Sequence, residues 1–576
     1  MRVLFFLFLF SVLLSDADAS DRQPEDTVTV RQKGPFFGSR EMVVAAHPIA
    51  VEVGSDILKR GGSAIDAMVA VQMVLNLVEP QSSGIGGGAF LLYHDAIANQ
   101  LVTLDGRETA PKAATPALFL NDSNTPRPWP EVVPGGLSVG TPGTLALMKR
   151  AHERYGRLAW SQVLEPAIDL AEAGFYVSPR LSGSLSSYGG KRLQQFNEAR
   201  DYFFPKGEPL SVGYLLKNLE FAATLRELSR SGLAAFYDGE IGHDIVAAVR
   251  GSTINPGRLS VDDLASYQVI DREPVCIAYR THRVCGMGLP SSGGITVAQM
   301  LGLLEPFNLP MLGPDHPLTW HLFSEAGKLA YADRNQYLAD GDFVDVPVDG
   351  LIDRDYLASR SRLIDLNRAM PTPVSAGQPT GFVQRYPDHR DGLPGTSHVS
   401  IIDQFGNAVS LTTTIESGFG SGLFVRGFLL NNELTDFSFI PEKNGLPVAN
   451  RVEAMKRPRS SMAPTMIYGP DGSLRFILGS PGGSRIINYV AQTIIGLLDF
   501  NMSPQEAINL GRMSSRNGAI DLEKETEIAL MADKLGRLGH EVKLRDLNSG
   551  LHVIEVKKDR LIGGADPRRE GIGMGR

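Results

Sequence analysis

The stretch that most constrains the fold of this chain is residues 395–422, which contain two strand-like runs joined by a turn. The runs at 397–403 and 408–415 are rich in Val, Ile, Thr and Ser, and the four residues between them read Gln-Phe-Gly-Asn. Such runs around a glycine-containing turn are typical of a β-hairpin. The sequence therefore predicts two adjacent antiparallel strands at this point of a sheet.

This hairpin brings two threonines together. If Asp403 pairs with Ala408, antiparallel counting places Thr414 opposite Ser397. The hydroxyl of Thr414 then lies beside Thr396, at the beginning of the first strand.

The segment before the hairpin, residues 371–394, indicates a cleavage junction. It is rich in proline and glycine and has neither a helical nor a strand period, which predicts a loose surface segment. A cut between Gly395 and Thr396 would need such a segment, since the cut end has to move away. Thr396 would then carry a hydroxyl and a free α-amine, whose pKa of about 7.7–8 leaves part of it unprotonated at neutral pH. One residue could supply both nucleophile and base.

The composition is that of a globular protein and argues against one class of partner. The 576 residues are 43% apolar and 21% charged, and the net charge is −8. The length allows two to four domains, although one large α/β unit can absorb much of it. No strongly basic region offsets the negative charge, so no nucleic-acid partner is expected.

Residues 1–19 resemble an export signal. Arg2 supplies the positive start, residues 3–14 are almost wholly apolar, and Ala-Asp-Ala at 17–19 fits a cleavage site after Ala19. A membrane anchor is the alternative, but a run of this length is short of the roughly 20 residues that span a bilayer. The mature protein is therefore predicted to be exported, periplasmic or extracellular, with no stable membrane span.

Two cysteines, Cys276 and Cys285, lie in short strand-like runs that suit a cross-strand pair. Export makes a disulfide possible, and two buried thiols are the alternative. Two cysteines at this spacing do not by themselves make a metal site. No metal or cofactor is expected.

The first half of the chain begins with two predicted helices, residues 48–58 and 64–77, the second capped by Ser63. A glycine-rich segment at 84–88 follows, and then a predicted strand at 89–93. A dinucleotide-binding fingerprint needs the order strand, glycines, helix. The order here is the reverse, which favours close packing of the backbone over a phosphate-binding loop.

The next predicted strand, residues 101–105, ends in a glycine followed by Arg107. An arginine at such a place can hold a carboxylate through two hydrogen bonds. On its own the residue favours the alternative, a surface arginine.

Six blocks of the chain together resemble one family. The run T-S-H-V-S-I-x4-G-N-A-V-S-L-T-T-T-I-E-S-G-F-G from Thr396 closely resembles the signature of the γ-glutamyltranspeptidases, also called γ-glutamyltransferases or glutathione hydrolases. The other five blocks fit the same family in the same order: D-G-R-E-T-A-P at 105–111, P-S-S-G-G at 290–294, L-L-N-N-E-L-T-D-F-S at 429–438, K-R-P-R-S-S-M-A-P-T at 456–465 and G-S-P-G-G-S-R at 479–485.

The resemblance implies an α/β (α+β) fold of the N-terminal nucleophile hydrolase type, an αββα sandwich of two stacked β-sheets flanked by helices. It also implies autocatalytic cleavage at Gly395–Thr396 into a large subunit of residues 20–395 and a small subunit of residues 396–576, which form one unit. Thr396 would be the nucleophile of processing and of catalysis. Thr414 would support its hydroxyl and orient its amine.

The same resemblance assigns residues to the two ends of a γ-glutamyl group. Arg107 would hold the α-carboxylate, and Ser460 and Ser461 would add hydroxyl donors. Asp436 would hold the α-ammonium, with help from Glu416 and Glu433. Three carboxylates around one ammonium are crowded, so at least one of them should be protonated or turned aside.

The oxyanion donors would come from the backbone amides of Gly482 and Gly483, which precede a predicted helix at 484–498. Thr396 would attack the γ-glutamyl carbonyl of glutathione or a related compound and form an ester. Water, or an amino acid or dipeptide acceptor, would then take the acyl group. Residues 439–457 occupy the place where some members carry a lid over the site, and the segment here is intermediate in length.

Two alternatives stay open. Related acylases use the same kind of nucleophile on the glutaryl side chains of cephalosporins, which lack the α-amine. An exported binding protein could also keep γ-glutamyl affinity without turnover. A comparison of the release from γ-glutamyl and glutaryl anilides distinguishes a γ-glutamyl enzyme from a glutaryl acylase. Self-cleavage on a denaturing gel distinguishes an enzyme from a binding protein.

Overall fold

The structure is a computed structural model that describes Thr27, residues 33–388 and residues 394–576. The predicted export signal at 1–19 lies outside the described residues. So do residues 389–393 of the predicted loose segment, whose remaining residues from 371 to 388 contain no helix or multi-residue strand.

Two large sheets form the centre of the fold, and every neighbouring pair of strands in both is antiparallel. The first sheet has the spatial order Ile572–Gly575, Met42–Ala45, Pro394–Ile402, Ala408–Ser417, Gly88–Asp95, Gln100–Gly106 and Ile270–Arg272. The second has the order Phe36–Gly38, Arg560–Ala565, His552–Lys557, Leu474–Gly479, Thr465–Tyr468, His282–Gly286 and Val275–Tyr279.

The two sheets pack face to face, as the alternation of side chains along one strand shows. Val43 and Ala45 belong to the hydrophobic core shared with the first layer of helices, whereas Met42 and Val44 belong to the core shared with the second sheet. Successive side chains of a strand point to opposite faces, so this strand is buried on both. The layers therefore follow the order helices, sheet, sheet, helices.

Helices cover the outer face of each sheet. Those whose apolar side chains join the core of the first sheet are Pro48–Lys59, Ala64–Val78, Thr144–Tyr155, Trp160–Ala173, Pro179–Ser186, Asn197–Phe203, Leu219–Ser231, Ala234–Tyr237, Glu240–Gly251 and Val261–Ala265. Those that join the core of the second sheet are Gly293–Leu304, Leu309–Leu312, Pro317–Tyr337, Arg354–Ser361, Ile486–Leu498, Pro504–Asn509 and Ala532–Arg537.

Shorter elements lie outside these layers. The remaining helices are Trp129–Val132, Tyr188–Arg192 and Val348–Leu351. Small sheets pair Phe175–Tyr176 with Leu215–Leu216, Phe424–Val425 with Phe428–Leu429, Glu442–Lys443 with Leu446–Pro447, and join Met513–Ser515, Ile520–Glu523 and Val542–Arg545.

The predicted hairpin is present, but its predicted register is wrong by one residue. Ile402, not Asp403, pairs with Ala408, and Thr414 therefore faces Thr396 directly. The carboxylate of Asp403 accepts hydrogen bonds from the amides of Phe405 and Asn407, both within 3.0 Å, which turns Asp403 into part of the loop. Asp side chains favour such turns. The expectation that the two threonines are neighbours is confirmed.

The predicted early helices are also present, and the second begins as its sequence indicates. Ser63 accepts a hydrogen bond from the amide of Asp66, and Asp66 accepts one from the amide of Ser63, which is a complete capping box. Cys276 and Cys285 face each other in adjacent strands and form a disulfide. Among the described residues, no helix combines the length and apolar character needed to cross a bilayer.

Candidate active site

The site is built around the hairpin pair Thr396 and Thr414. Both side chains are almost completely buried. The hydroxyl of Thr414 donates a hydrogen bond of 2.6 Å to the carbonyl oxygen of Gly395 and accepts one of 2.8 Å from the amide of Glu416. In this uncut chain the hydroxyl of Thr414 therefore binds the peptide bond before Thr396.

Arg107 is held by backbone carbonyls from a distant part of the chain. Its guanidinium donates hydrogen bonds of 3.1 Å to the carbonyl oxygens of Pro458 and Arg459. Two of the sequence blocks, more than 300 residues apart, thus meet at one side chain. The positions of these carbonyls orient the guanidinium, and Arg107 is 1% exposed.

The same guanidinium is paired with two carboxylates. Arg107 donates to Asp436 at 2.5 Å and also to Glu433. Asp436 keeps a fifth of its side chain exposed, whereas Glu433 is buried. The predicted carboxylate-binding residue and two of the predicted ammonium-binding residues are therefore in direct contact.

A further carboxyl group, that of Glu108, lies beside this cluster. Its oxygen is 3.8 Å from the guanidinium of Arg107, and burial raises the pKa of Glu108 to about 7 although Arg107 opposes the rise. Burial likewise raises the pKa of Glu433, and the nearby charges of Glu108 and Asp436 add to the rise, whereas Arg107 opposes it. Burial of the two carboxyl groups disfavours the charged form of each, which is why both pKa values are raised.

Glu416 is turned away from the cluster. Its carboxylate accepts hydrogen bonds from Ser417 and Asn432, and Glu416 is not among the residues that line the cavity beside Thr396. Burial raises its pKa well above the usual range, and the nearby charges of Asp436 and Glu433 add to the rise. The crowding expected of three carboxylates is thus relieved in part by the orientation of one of them.

The two serines Ser460 and Ser461 lie on the cavity wall with Arg107. The amide of Met462 donates to the hydroxyl of Ser460 at 3.1 Å, and Arg334 donates to the hydroxyl of Ser461 at 2.7 Å. Both serine hydroxyls therefore accept hydrogen bonds from the protein, which leaves their own protons to donate.

The glycine pair lies at the beginning of a helix, close to the predicted position. Gly482 and Gly483 have φ values of 132° and 63°, and a single 3-10 turn at Gly483–Arg485 leads into the helix Ile486–Leu498. Such backbone conformations favour glycine. Gly483 lies on the cavity wall, and Gly482 precedes it.

These elements enclose one small cavity of about 30 Å³. Its lining residues are Arg107, Arg334, Thr396, Thr414, Glu433, Asp436, Arg459, Ser460, Ser461, Met462, Gly483, Ser484 and Ile486. The structure thus brings both threonines, the arginine, two of the three acidic residues, both serines and one of the two glycines to one place.

Sequence reasoning assigned no role to Glu108 or Arg334. Glu108 follows Arg107 in the D-G-R-E-T-A-P block. Because that block resembles the family, its position could have identified Glu108 as a site residue. Arg334 lies inside the long helix Pro317–Tyr337, where nothing local distinguishes it from a surface arginine. Only the packing of that helix shows that Arg334 reaches Ser461.

Comparison with known proteins identifies the family. A family model described as Gamma-glutamyltranspeptidase matches residues 50–575. The chain belongs to the γ-glutamyltranspeptidase family.

Individual members of the family and one related structure are similar over almost the whole chain. A glutathione hydrolase proenzyme from Bacillus subtilis strain 168 is 36% identical over 550 residues, which cover 93% of this chain and 92% of that protein. A glutathione hydrolase proenzyme from Escherichia coli strain K12 is 36% identical over 545 residues, covering 93% and 91%. The crystal structure of a cephalosporin acylase from Bacillus halodurans has a TM-score of 0.84 at 27% identity, covering 95% of this chain and 97% of that one.

These findings confirm the predicted family and the predicted αββα fold class. They also confirm that this γ-glutamyltranspeptidase relative is an enzyme of the γ-glutamyl hydrolase and transferase group. Glutathione hydrolases are similar to this chain in sequence and a cephalosporin acylase is similar to it in structure, so the substrate has to be argued from the site.

Proposed function

We propose that this protein cuts itself between Gly395 and Thr396 and then uses Thr396 to remove the γ-glutamyl group from glutathione and related compounds. The observation that carries the proposal is the hydrogen bond from Thr414 to the carbonyl oxygen of Gly395. A donor at that oxygen stabilises the negative charge that develops when a nucleophile attacks the carbonyl carbon. The attacking group would be the neighbouring hydroxyl of Thr396.

The self-cleavage would proceed through an ester. The oxygen of the Thr396 side chain bonds to the carbonyl carbon of Gly395, the peptide C–N bond breaks, and the hydroxyl proton moves to the nitrogen of Thr396. Water then hydrolyses the ester, which returns the hydroxyl and leaves a carboxylate on Gly395. Residues up to 395 become the large subunit and residues 396–576 the small subunit.

The free α-amine of Thr396 would then act as the base of the mature enzyme. Its pKa of about 7.7–8 allows it to accept the hydroxyl proton during attack on a γ-glutamyl carbonyl. The amides of Gly482 and Gly483 would donate to the oxyanion. The amine of the donor leaves, and the glutamyl ester passes to water or to an amino acid or dipeptide acceptor.

The charges at the site fit an amino-acid end group. The α-carboxylate of the substrate would displace one of the two acidic side chains that pair with Arg107. The hydroxyls of Ser460 and Ser461 would also donate hydrogen bonds to it. Asp436, partly exposed at the cavity, would then turn to the α-ammonium, and Glu433 would add negative charge. Exchange of one carboxylate for another keeps the buried guanidinium paired throughout, which avoids the large cost of an unpaired buried charge.

The present cavity is too small for this substrate, since ligand sites are commonly about 300–1,000 Å³. Release of the chain before Thr396 would open it. The uncut chain would accordingly be an inactive precursor, and the cut would both create the base and admit the substrate.

We further infer export. The sequence of residues 1–19 fits a signal peptide, and the Cys276–Cys285 disulfide is typical of proteins that fold in an oxidising compartment. The periplasm or the cell exterior would supply both glutathione and peptide acceptors.

Purified protein on a denaturing gel tests self-cleavage. We expect bands of roughly 40 and 20 kDa, in keeping with about 110 Da per residue, and a single band near 60 kDa for Thr396→Ala. A wild-type chain that stays whole and inactive would contradict the proposal and favour a binding protein.

A second function, that of a glutaryl acylase, is favoured by the similarity to the cephalosporin acylase structure. A glutaryl group lacks the ammonium that Asp436 and Glu433 would hold. Faster release from a γ-glutamyl anilide than from a glutaryl anilide supports the first function, and the opposite preference supports the second.

A further inference from the structure

A group of buried charged residues that do not line the substrate cavity holds the backbone at the proposed nucleophile. Arg569 donates a hydrogen bond of 3.2 Å to the carbonyl oxygen of Thr396. The next residue, Ser397, donates one of 3.0 Å from its hydroxyl to the carboxylate of Glu79. Side-chain contacts therefore hold two consecutive residues of the strand.

Glu79 follows the helix Ala64–Val78 directly and is completely buried. It forms an ion pair of 2.9 Å with Arg180, which is 2% exposed. The amide of Arg180 donates to the carboxylate of Glu570 at 2.9 Å. Burial raises the pKa of Glu79 to about 7, although Arg569 and the hydrogen bond from Ser397 lower it.

We propose that Glu79 is a positioning residue for Thr396, acting through Ser397 and as the countercharge of Arg569. The proposal rests on the proposed function, in which Thr396 is the nucleophile. Glu79 itself is not among the residues that line the cavity with Thr396, so its effect reaches the nucleophile only through the strand.

The need for such a residue follows from the cut. A chain terminus is usually poorly ordered unless other groups hold it. Once the bond to Gly395 is broken, Thr396 is held by its pairing with Thr414, by Arg569 at its carbonyl and by the contact of Ser397 with Glu79. A shift of about 1 Å in a reacting group can cost roughly 100-fold in rate, so these contacts bear on catalysis directly.

The negative charge of Glu79 is as important as its hydrogen bond. Arg180 and Arg569 are both buried, and burial lowers the pKa of each. A buried cation without a partner is costly and tends to move toward water. Arg569 also donates hydrogen bonds to Asn548 and to the carbonyl of Ser549. Removal of the charge on Glu79 should therefore weaken the hold of Arg569 on the carbonyl of Thr396 without leaving the guanidinium unpaired.

These contacts would also join the two subunits. Glu79 and Arg180 belong to the proposed large subunit, whereas Ser397, Arg569 and Glu570 belong to the small one. Thr396 would thus keep its place in the cut enzyme partly through the hydrogen bond of its neighbour Ser397 to the other chain.

The first experiment compares Glu79→Gln with the wild type in the full-length protein. Glutamine keeps the size and the acceptor for Ser397 but removes the charge. We expect self-cleavage at least tenfold slower and kcat for a γ-glutamyl anilide lowered about 10- to 100-fold, with KM within about twofold. Unchanged kcat and cleavage would overturn the proposal, and so would a loss seen only in KM.

A second pair of variants isolates the contact with Ser397 and leaves the charges in place. Ser397→Ala should lower kcat and slow cleavage, whereas Ser397→Thr, which keeps the hydroxyl, should restore both. In the double variant with Glu79→Gln, the effects should be less than additive, because both changes loosen the same two residues, Thr396 and Ser397. Full additivity would count against the proposal. No rescue by threonine would count against it even if Glu79→Gln failed to fold.

Glu325→Gln is the matched control. Glu325 is also completely buried and also paired with a cation, Lys328, but it is not among the residues that line the cavity with Thr396. Its variant should change thermal stability but leave both kcat and the cleavage rate of the folded protein unchanged. If the wild type neither cuts itself nor releases the anilide, the proposed function fails, whereas an active wild type with unaffected Glu79 and Ser397 variants refutes the positioning role alone.

Discussion

The hydroxyl of Thr414 donates a 2.6 Å hydrogen bond to the carbonyl oxygen of Gly395, the residue before the proposed nucleophile. The hairpin register that places Thr414 opposite Thr396 fixes this contact. A catalytic donor would thus be present before any cut is made.

Thr414→Val should slow self-cleavage by about 100- to 1,000-fold, because valine has the same shape but cannot donate to the developing oxyanion. Thr414→Ser should cleave within about tenfold of the wild type. The measurement is a time course of freshly folded protein on a denaturing gel. Cleavage of the valine variant at the wild-type rate would show that this hydrogen bond has no part in processing.

Asp436→Asn should raise KM for a γ-glutamyl anilide by about 10- to 100-fold, since a hydrogen bond to a charged group contributes about 1.5–3 kcal/mol. Self-cleavage should proceed normally, because Asp436 pairs with Arg107 and, in the described part of the chain, makes no hydrogen bond to Gly395 or Thr396. Steady-state kinetics with a glutaryl anilide provide the control, since that compound has no ammonium. An equal loss on both compounds would contradict a role in binding the amine.

His540→Gln should change how stability depends on pH. Burial, with Lys328 and His321, lowers the pKa of His540 to about 3, whereas the unfolded value is about 6.5. The unfolded chain therefore binds the proton first, and the wild type loses up to about 1.4 kcal/mol per pH unit as pH falls below 6.5. The variant lacks this loss, so its stability relative to the wild type should improve by about 2 kcal/mol between pH 6.5 and 5.

Urea unfolding of both chains in the uncut Thr396→Ala background measures this difference, because each then unfolds as one chain. A constant difference between wild type and variant over that pH range would mean that His540 is not held neutral in the fold.

Replacement of Cys276 and Cys285 by alanine should lower the free energy of unfolding by about 2–3 kcal/mol, the chain-entropy value for a loop of this length. The pair lies at the edge of the second sheet, away from the cavity residues, so activity per folded molecule should be unchanged. Thermal unfolding with and without reductant measures the effect. Reductant should have no effect on the alanine variant.

The sequence allowed much of the site to be predicted, because the important residues lie in short blocks with local patterns. Two strands and a turn suffice to bring Thr414 to Thr396. The exact register was not predictable in the same way, since Asp403 can either extend the strand or accept amides within the turn. The packed sheet settles that choice in favour of the turn.

Side-chain orientation was the part that sequence could not supply. Glu416, Glu433 and Asp436 are chemically equivalent as acidic residues, yet one accepts from Ser417 and Asn432 while the others pair with Arg107. Glu79 is a similar case, because its role depends on Ser397, more than 300 residues later. Long-range contacts of this kind leave no period or spacing in the sequence.

The order of strands in the two sheets has a consequence for the cut enzyme. Met42–Ala45, from the proposed large subunit, lies between Ile572–Gly575 and Pro394–Ile402, and the second sheet also contains strands from both sides of the junction. Neither subunit would contain all the strands of either sheet. Once the cut enzyme is unfolded, its two subunits would have to meet by diffusion before they could refold, so the recovery of activity would depend on protein concentration. The uncut chain would refold as a single molecule. The lifetime of the mature enzyme would then depend on a slow rate of unfolding and not on efficient refolding.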